Sequence, residues 1–269
     1  MNTAGLRAQA AQVLAEGQAA VVVELRSVKG SVPRDEGTRM VVLREVVLGT
    51  IGGGHLEWRA IGTARALLQG NLPWPGPERL ALGPALGQCC GGVVELAFVP
   101  LDGEALERWR VPVPRFHLML YGAGHVGQAL VRVLSGLDVV VDWVDGREGA
   151  CAAARAADGF PGLRLLETED PAAEARAAPA GAHHVVMTHS HALDFDIVLA
   201  LLRRTDTGLV GLIGSKTKRL QFEHRLLARG VEPARLAALL CPIGIAGVRG
   251  KEPAAVAVAV AAQLLSAPG

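Results

Sequence analysis

The chain has few cysteines and almost no net charge, and each shortage removes a class of function. Four of its 269 residues are cysteines, and in a chain without an export signal we expect them to stay reduced in the cytoplasm. The formal net charge at pH 7 is +1, which provides no field that would attract nucleic acid or an anionic membrane. We therefore expect neither as a partner.

Long hydrophobic runs are also missing. The longest one near the C-terminus, Ala254 to Leu265, follows Glu252-Pro253 and is too short to span a bilayer, so it predicts an ordinary helix that opens with proline. Residues 1–17 place apolar side chains at helical spacing between polar ones, which predicts an amphipathic helix rather than a signal peptide. The sequence thus favours a cytoplasmic location.

The hydrophobic residues that are present, 50% of the chain, are enough for a globular protein of two domains. The two halves differ in pattern, and Val111 to Arg115, which contains two prolines, predicts a stiff linker between them. We place an N-terminal domain at residues 1–110 and a C-terminal domain at residues 115–269.

Each half predicts its own fold class. Before the linker, strand-like runs surround a helical segment at about 55–68, a mixed α+β pattern. After the linker, apolar strand-like runs alternate with helical segments, which is typical of a parallel, Rossmann-like sheet covered on both faces, an α/β fold. The strand-like runs lie at 20–25, 39–43, 45–49 and 93–99 in the first half and at 116–121, 139–144, 185–188 and 209–213 in the second.

Two of the cysteines are adjacent, in the segment Gln88 to Gly92. Neighbouring cysteines rarely pair with each other, because so small a ring strains the disulfide geometry. A thiolate beside flexible glycine backbone suits a soft metal or a carried sulfur atom. Cys89 and Cys90 are therefore candidate ligands of a metal or of its sulfur, the alternative being two small side chains buried in a turn.

Two loops of the first half are candidates for binding an anionic ligand. Ser27 to Gly37 is rich in turn residues and carries the cations Lys29 and Arg34. Gly52 to Glu57 follows a strand-like run, precedes a helix and begins with three glycines, which predicts backbone N–H groups exposed toward a ligand. A structural turn would need fewer glycines; Glu57 is alternatively a helix cap.

A glycine pattern in the second half predicts a nucleotide-binding turn. Gly122, Gly124 and Gly127 follow a strand-like run and open a helical segment, where glycines let a pyrophosphate approach the helix N-terminus. Asp145 ends the next strand-like run, near the position where an acidic side chain receives a ribose hydroxyl. The alternative is that the glycines serve helix–strand packing alone.

The segment after the third strand-like run of the second half carries histidines. His189 and His191, with Asp194, are candidate metal ligands or proton carriers, since histidine titrates near neutral pH. Asp194 is alternatively the cap of the following helix.

A cationic helix start follows the next strand-like run. Ser215 is the expected N-cap, and the first turn carries Lys216, Lys218 and Arg219. Because cations there oppose the helix dipole, they indicate an anionic partner such as phosphate, unless they are simply solvated.

Several of these motifs resemble, in order and spacing, those of the xanthine dehydrogenase accessory family, XdhC/CoxI. The first half resembles the N-terminal domain of that family through Gly30 to Arg34, Gly52 to Glu57 and Gln88 to Gly92. The second half resembles its Rossmann domain through the segments at 122–127, 188–191, 211–216 and 241–244. The resemblance covers nearly the whole chain.

Members of this family are chaperones of the molybdenum cofactor, molybdopterin. The resemblance implies that the protein holds the cofactor while a cysteine desulfurase installs its terminal sulfur, and then delivers it to xanthine dehydrogenase or a related molybdenum hydroxylase. It implies an accessory factor rather than an enzyme, and we also expect a homodimer. The implied pocket comprises Arg34, Gly53, Gly54, Glu57, Gln88, Cys89 and Cys90, and the implied Rossmann ligand lies near Gly122, Gly124, Gly127, Asp145, Ser215 and Lys216.

Two alternatives stay open. The first is an NAD-dependent oxidoreductase that uses the turn at Gly122 to Gly127, with His189 or His191 as its proton donor. The second is a nucleotide-sensing scaffold that acts through protein contact alone. Retention of a cofactor without turnover selects the chaperone, production of reduced nicotinamide selects the oxidoreductase, and binding of a nucleotide without pterin selects the scaffold.

Overall fold

The computed structural model describes residues 2–82, 91–147, 149 and 160–267. The chain divides into two compact units, Thr3–Val111 and Pro112–Gly269. Within the described ranges, none of the helices combines the length and the apolar character that crossing a bilayer requires.

The N-terminal unit is an antiparallel sheet with helices on both faces. Its strand order is β3-β2-β1-β5-β4, with every neighbouring pair antiparallel. The strands are β1 Val21–Lys29, β2 Arg39–Val42, β3 Val47–Gly49, β4 Glu78–Ala81 and β5 Val93–Pro100, and the helices are α1 Thr3–Ala15, α2 Gly54–Leu68 and α3 Gly103–Arg108.

Alternation along the central strand β1 explains the two cores of this unit. Val21, Val23 and Leu25 lie on one face and share a core with α2. Val22 lies on the other face and shares a core with α1 and with Trp109, just after α3. Both sets are buried because successive side chains of a strand point to opposite faces.

The C-terminal unit is a parallel sheet in the strand order β11-β10-β9-β6-β7-β8. This confirms the α/β class and the parallel sheet that the sequence predicts. The strands are β6 His117–Tyr121, β7 Val140–Asp145, β8 Leu163–Glu167, β9 His183–Val186, β10 Val210–Leu212 and β11 Leu239–Leu240; the helices are α4 His125–Leu134, α5 Pro171–Ala177, α6 His191–Leu202, α7 Lys216–Ala228, α8 Pro233–Ala237 and α9 Pro253–Ser266.

Helices cover both faces of this sheet, so its strands are apolar on both sides. Leu118 and Leu120 of β6 belong to the core that includes α4 and α9, whereas Met119 and Tyr121 belong to the core that includes α5 to α8. The chain starts at β6, runs outward through β7 and β8, then returns to β9 on the other side of β6. The direction of winding reverses between β6 and β9, and ligands of such sheets bind at the carboxyl ends of the strands beside that point.

Candidate functional site

The glycine loop before α2 is held by one glutamate. Gly52, Gly53 and Gly54 have φ angles of 120°, 75° and 66°, which L-residues with a side chain rarely adopt. Glu57 Oε2 accepts hydrogen bonds from Ile51 N at 2.9 Å and Gly53 N at 3.0 Å, and from the Thr50 hydroxyl. The loop is therefore wound around the carboxylate of the helix that it precedes.

This geometry corrects part of the prediction for the loop. The N–H groups of Ile51 and Gly53 point at Glu57, and Gly52 N donates to Thr50 Oγ1 at 3.0 Å, so these three donors are not exposed to a ligand. Glu57 organises the start of the helix. The described residues nevertheless leave the space over Gly53 open, since a Cβ built there meets none of their atoms within 4 Å.

The loop that carries Arg34 lies between the other two motifs of the N-terminal unit. On one side, a Cβ built on Gly52 would lie 2.6 Å from Pro33 Cβ and 3.5 Å from Arg34 Cγ. On the other side, a Cβ built on Gly92 would lie 2.5 Å from Ser31 O. The Pro33 ring beside Gly52 and the backbone beside Gly92 leave no room for a side chain, which explains why both flanking positions are glycine.

The glycines that follow the two cysteines pack on the Arg34 loop, and these three motifs together form the cluster of the N-terminal unit. Gln88, Cys89 and Cys90 lie outside the described residues, so their candidate roles stay predictions. The backbone N–H of Leu82 donates to Gly92 O at 2.7 Å, which brings together the residues that flank the segment. Gly91, which directly follows Cys90, has no atom of the described residues within 4 Å of a built Cβ. The glycines that end the cysteine motif thus pack on the Arg34 loop, which in turn packs on the loop of Gly53.

In the C-terminal unit, the three glycines of the turn after β6 have different roles. A Cβ on Gly122, whose φ is 112°, would lie 2.4 Å from Met187 O, and one on Gly127 would lie 2.4 Å from Gly122 O. Both therefore serve close packing. Gly124 is the N-cap of α4, no side chain caps that helix, and a Cβ there would meet nothing within 4 Å. Only Gly124 among the three borders space that the described protein atoms leave open.

Asp145, at the end of β7, is engaged by its own chain. Its carboxylate accepts from Ala123 N at 2.7 Å, from Arg147 N and Nε at 3.0 Å each, and from Arg147 Nη2 at 2.9 Å. Burial by itself raises the pKa of Asp145, but the hydrogen bonds from Arg147 and Ala123 outweigh it and leave that pKa below its usual value. A carboxylate offers about four lone-pair sites, so a ribose hydroxyl could be received here only if Arg147 moved away.

A buried ion pair connects the loops after β9 and β10. Lys218 Nζ lies 2.6 Å from Asp194 Oδ2 and donates to Ile213 O at 2.9 Å, and Asp194 has no exposed surface. The other oxygen of Asp194 accepts from Thr188 N at 3.0 Å and from the Thr188 hydroxyl at 2.7 Å. Asp194 is therefore neither the cap of α6 nor a free metal ligand. The N-cap is Ser190, and α6 begins at His191, so Asp194 lies within its first turn.

At the start of α7, the N-cap is the predicted residue, but the cations of the first turn are not all free. Ser215 is the N-cap, as predicted, and its hydroxyl accepts from Lys218 N at 3.2 Å. Two of the three cations in the first turn form ion pairs within the protein: Lys218 pairs with Asp194, and Arg219 pairs with Glu223. Lys216 alone is exposed and without a contact within the described ranges, which weakens the argument for an anion at this helix start.

The histidines at 189 and 191 do not assemble a metal site with their described neighbours. Across the described residues, no group of three or more His, Cys, Asp or Glu side chains is arranged to hold a metal ion. The metal-binding roles of Cys89, Cys90, His189 and His191 accordingly stay predictions.

Sequence reasoning missed the residues that lock these loops. Lys218 is only 8% exposed. Lysine is normally a surface residue, so its burial could not be expected from the sequence. Trp143, buried in β7, donates from Nε1 to Gly122 O at 3.0 Å and so stabilises the glycine turn. Its place in the apolar run of β7 signalled a core residue and not a contact with the turn.

Taken together, the reversal of winding between β6 and β9, the glycine turn at that point and the acidic end of β7 define a Rossmann-type unit, which follows a smaller antiparallel unit in the chain. Residues 118–264 match the model of the XdhC Rossmann domain, and residues 9–73 match the model of the XdhC and CoxI family. The chain belongs to the XdhC/CoxI family.

Two known proteins are similar to this chain. A crystal structure from Bacillus halodurans, described as a xanthine dehydrogenase, aligns with a TM-score of 0.70 at 20% identity over 98% of this chain and 95% of that chain, which shows a shared fold. The uncharacterized protein YqeB of Escherichia coli strain K12 is 28% identical over 250 residues, which are 90% of this chain and 43% of YqeB. The chain thus spans less than half the length of this curated relative.

Proposed function

We propose that this protein is an accessory factor that binds the molybdenum cofactor, holds it for sulfuration by a cysteine desulfurase, and delivers it to xanthine dehydrogenase or a related molybdenum hydroxylase. Membership of the XdhC/CoxI family supports a role in maturation. The observation that carries the proposal is the meeting of three separate motifs in the N-terminal unit, at Gly30 to Arg34, at Gly52 to Glu57 and at the glycines after Cys90.

The described residues of this cluster fit a bulky anionic cofactor. No described atom lies within 4 Å of a Cβ built on Gly53 or Gly91, so the described residues leave room for a large group to approach the backbone there. Arg34 is exposed, and no contact of its guanidinium is found among the described residues, so it is available to a phosphate. Glu57 keeps the loop of Gly53 and Gly54 in its left-handed conformation rather than touching the cofactor.

The thiols have a separate task in this proposal. Molybdenum and its terminal sulfur are soft partners, and thiolates are the soft ligands that proteins offer. Cys89 or Cys90 would hold the metal or its sulfur, while Gln88 would supply a polar amide beside them. When bound, the cofactor supplies the metal centre that a hydroxylase needs, and this chain only has to hold it and release it.

Cysteine-to-serine variants test this proposal. The protein is purified from a host that makes the cofactor, and its molybdenum and pterin contents are measured. We expect Cys89→Ser/Cys90→Ser to lose molybdenum, because a hard hydroxyl does not replace a soft thiolate. Cys241→Ser, in the other unit, is the matched control and should retain it. Equal molybdenum contents in the double variant and the wild type would refute the proposal, as would a wild-type protein without pterin.

A second ligand, a nucleotide on the Rossmann unit, is favoured by one observation, the open space at the N-cap Gly124. Unpaired N–H groups at this helix N-terminus suit a phosphate. Calorimetry with NAD, NADP, ATP, GTP and CTP tests it, and Gly124→Val should abolish any binding, because its side chain would fill that space. The oxidoreductase alternative additionally requires reduced nicotinamide to form when substrate is supplied; its absence with bound cofactor selects the chaperone.

A further inference from the structure

A cavity of about 540 Å³ lies in the N-terminal unit and shares no lining residue with the glycine loops. It opens on the sheet face opposite α2, where Val22 of β1 and Val99 of β5 form an apolar floor. Its walls carry four arginines, Arg26, Arg39, Arg108 and Arg110, and two glutamates, Glu24 and Glu107. The excess of guanidinium groups makes the cavity electropositive although the whole chain is nearly neutral.

Arg26 continues the row of Val22 and Glu24 on this face of β1 and lies at an irregularity of the sheet. Strand β1 pairs with β5 through Leu25–Leu96 and then Ser27–Glu95, so Arg26 is an extra residue in a β-bulge. Bulges are over-represented at sheet edges and beside functional sites. Arg26 is exposed and makes no hydrogen bond or ion pair within the described part of the chain.

The remaining arginines divide into a fixed pair and a free one. Arg39 is held by Glu24, its cross-strand neighbour, at 2.5 Å, and lies 5.3 Å from the centre of the buried Trp109 ring. Arg108 pairs with Glu104 in an exposed contact. Arg110, like Arg26, is exposed and has no partner among the described residues. Two guanidinium groups of the cavity are thus without a partner among the described residues.

We infer that this cavity binds a phosphate-bearing small molecule of about nucleoside monophosphate size. Guanidinium groups are the side chains best suited to the oxygens of a phosphate monoester, and both unpartnered ones line this cavity. The volume exceeds what an inorganic phosphate needs and lies in the range of small-molecule sites. The apolar floor suits a ring attached to the phosphate. The inference is independent of the proposed cofactor function, because none of its residues belongs to that cluster.

Calorimetric titration with adenosine monophosphate and with inorganic phosphate tests the inference. The titrations use full-length Gly124→Val protein, so that the Rossmann turn does not contribute to binding. We expect adenosine monophosphate to bind more tightly than inorganic phosphate, and Arg26→Gln/Arg110→Gln to weaken it by about tenfold for each lost charge-assisted contact. Arg44→Gln, an exposed arginine of the β2–β3 turn, is the matched control and should leave the affinity unchanged.

Several outcomes would overturn the inference. They are the absence of binding by both probes, equal affinities in the double variant and the control, and a loss of affinity in the control as well. Arg26→Lys is a milder second variant that should fold like the wild type and weaken binding by removing the bidentate contact. Molybdenum content is measured in parallel: the double variant should retain it, and its loss would assign the cavity to the cofactor and refute a separate site.

Discussion

At the scale of single residues, Lys218 is a charged side chain that holds two loops together from the interior. It is nearly buried, and its partner Asp194 is fully buried. Breaking such a pair by removing one member leaves an uncompensated charge in the interior, which typically costs about 3–5 kcal/mol. The pair also fixes Thr188 and Ile213, which belong to the two loops at the carboxyl ends of β9 and β10.

We therefore expect Lys218→Met to lower the free energy of unfolding by about 3 kcal/mol or more. Adding Asp194→Asn should recover more than half of that loss, because the amide is neutral and its oxygen still accepts from Thr188. Denaturant unfolding of the two variants and the wild type measures both effects. Lys216→Met, at the exposed first residue of α7, should change stability by no more than about 0.5 kcal/mol. A Lys218 variant as stable as this control would contradict the role of the pair.

A second prediction at this scale concerns pH. His184 is fully buried; its Nδ1 lies 3.3 Å from the Tyr121 hydroxyl, and its Nε2 has no hydrogen-bond partner among the described residues. Burial, helped by the positive charge of Arg204, lowers the pKa of His184 to about 3. In the unfolded chain a histidine has a pKa of about 6.5, so between these values the unfolded state binds the additional proton.

Stability should consequently fall as the pH drops below 6.5, by about 1.4 kcal/mol per pH unit from this residue. Between pH 6.5 and 5 the loss is about 2 kcal/mol, before most carboxylates begin to titrate. His184→Gln should flatten this part of the profile, whereas Tyr121→Phe, which keeps the imidazole, should not. Denaturant unfolding at several pH values gives the slopes, and a wild-type slope that survives His184→Gln would contradict the assignment.

At the scale of elements, the glycines of the turn between β6 and α4 differ in how closely they are packed. Gly127→Ala should lower the free energy of unfolding by about 1–3 kcal/mol, because its Cβ would collide with Gly122 O. Gly124→Ala should change stability much less, because its surroundings are open and its φ of −75° suits alanine. Thermal unfolding separates the two, and similar losses in both variants would show that the turn is a packing device throughout.

The elements that the sequence predicted well are those with a strong local signal. The helix of the glycine loop begins at Gly54, and the central strands β6 and β7 lie within one or two residues of the predicted runs. The short elements β4, α3, β8 and α8 were not predicted, because their four to six residues carry too few apolar positions for a period to emerge. The two-residue strand β11 exists only through its pairing with β10.

In the candidate site, too, only the features with a local sequence signal were predictable. The loops were recognisable from their glycines and cysteines, because a left-handed φ or a close approach of the backbone requires glycine. The side chains that accept hydrogen bonds from those loops could not be identified from composition. Glu57 accepts hydrogen bonds from N–H groups of its own loop, and Arg147 donates to the carboxylate of Asp145. Both contacts depend on side-chain directions that are set only in the folded backbone.

At the scale of the whole molecule, two compact units meet in the chain at Val111 and Pro112. Residues 110–115 are exposed and lack regular structure. Trypsin under native conditions should therefore cut after Arg110 earlier than after Arg225, which lies within α7 and over the Phe195 ring. Mass spectrometry of the first fragments checks the order, and early cleavage at Arg225 would contradict it.

The buried pair of Asp194 and Lys218 also has an evolutionary consequence. A lineage that lost the lysine alone would carry an unpaired charge in its interior, and one that lost the aspartate alone would carry the opposite charge there. Both intermediates are poorly stable, so substitutions at the two positions should be inherited together. Relatives of this chain are expected to have both charges or neither, and an alignment in which the two positions vary independently would show that the interior tolerates a single charge.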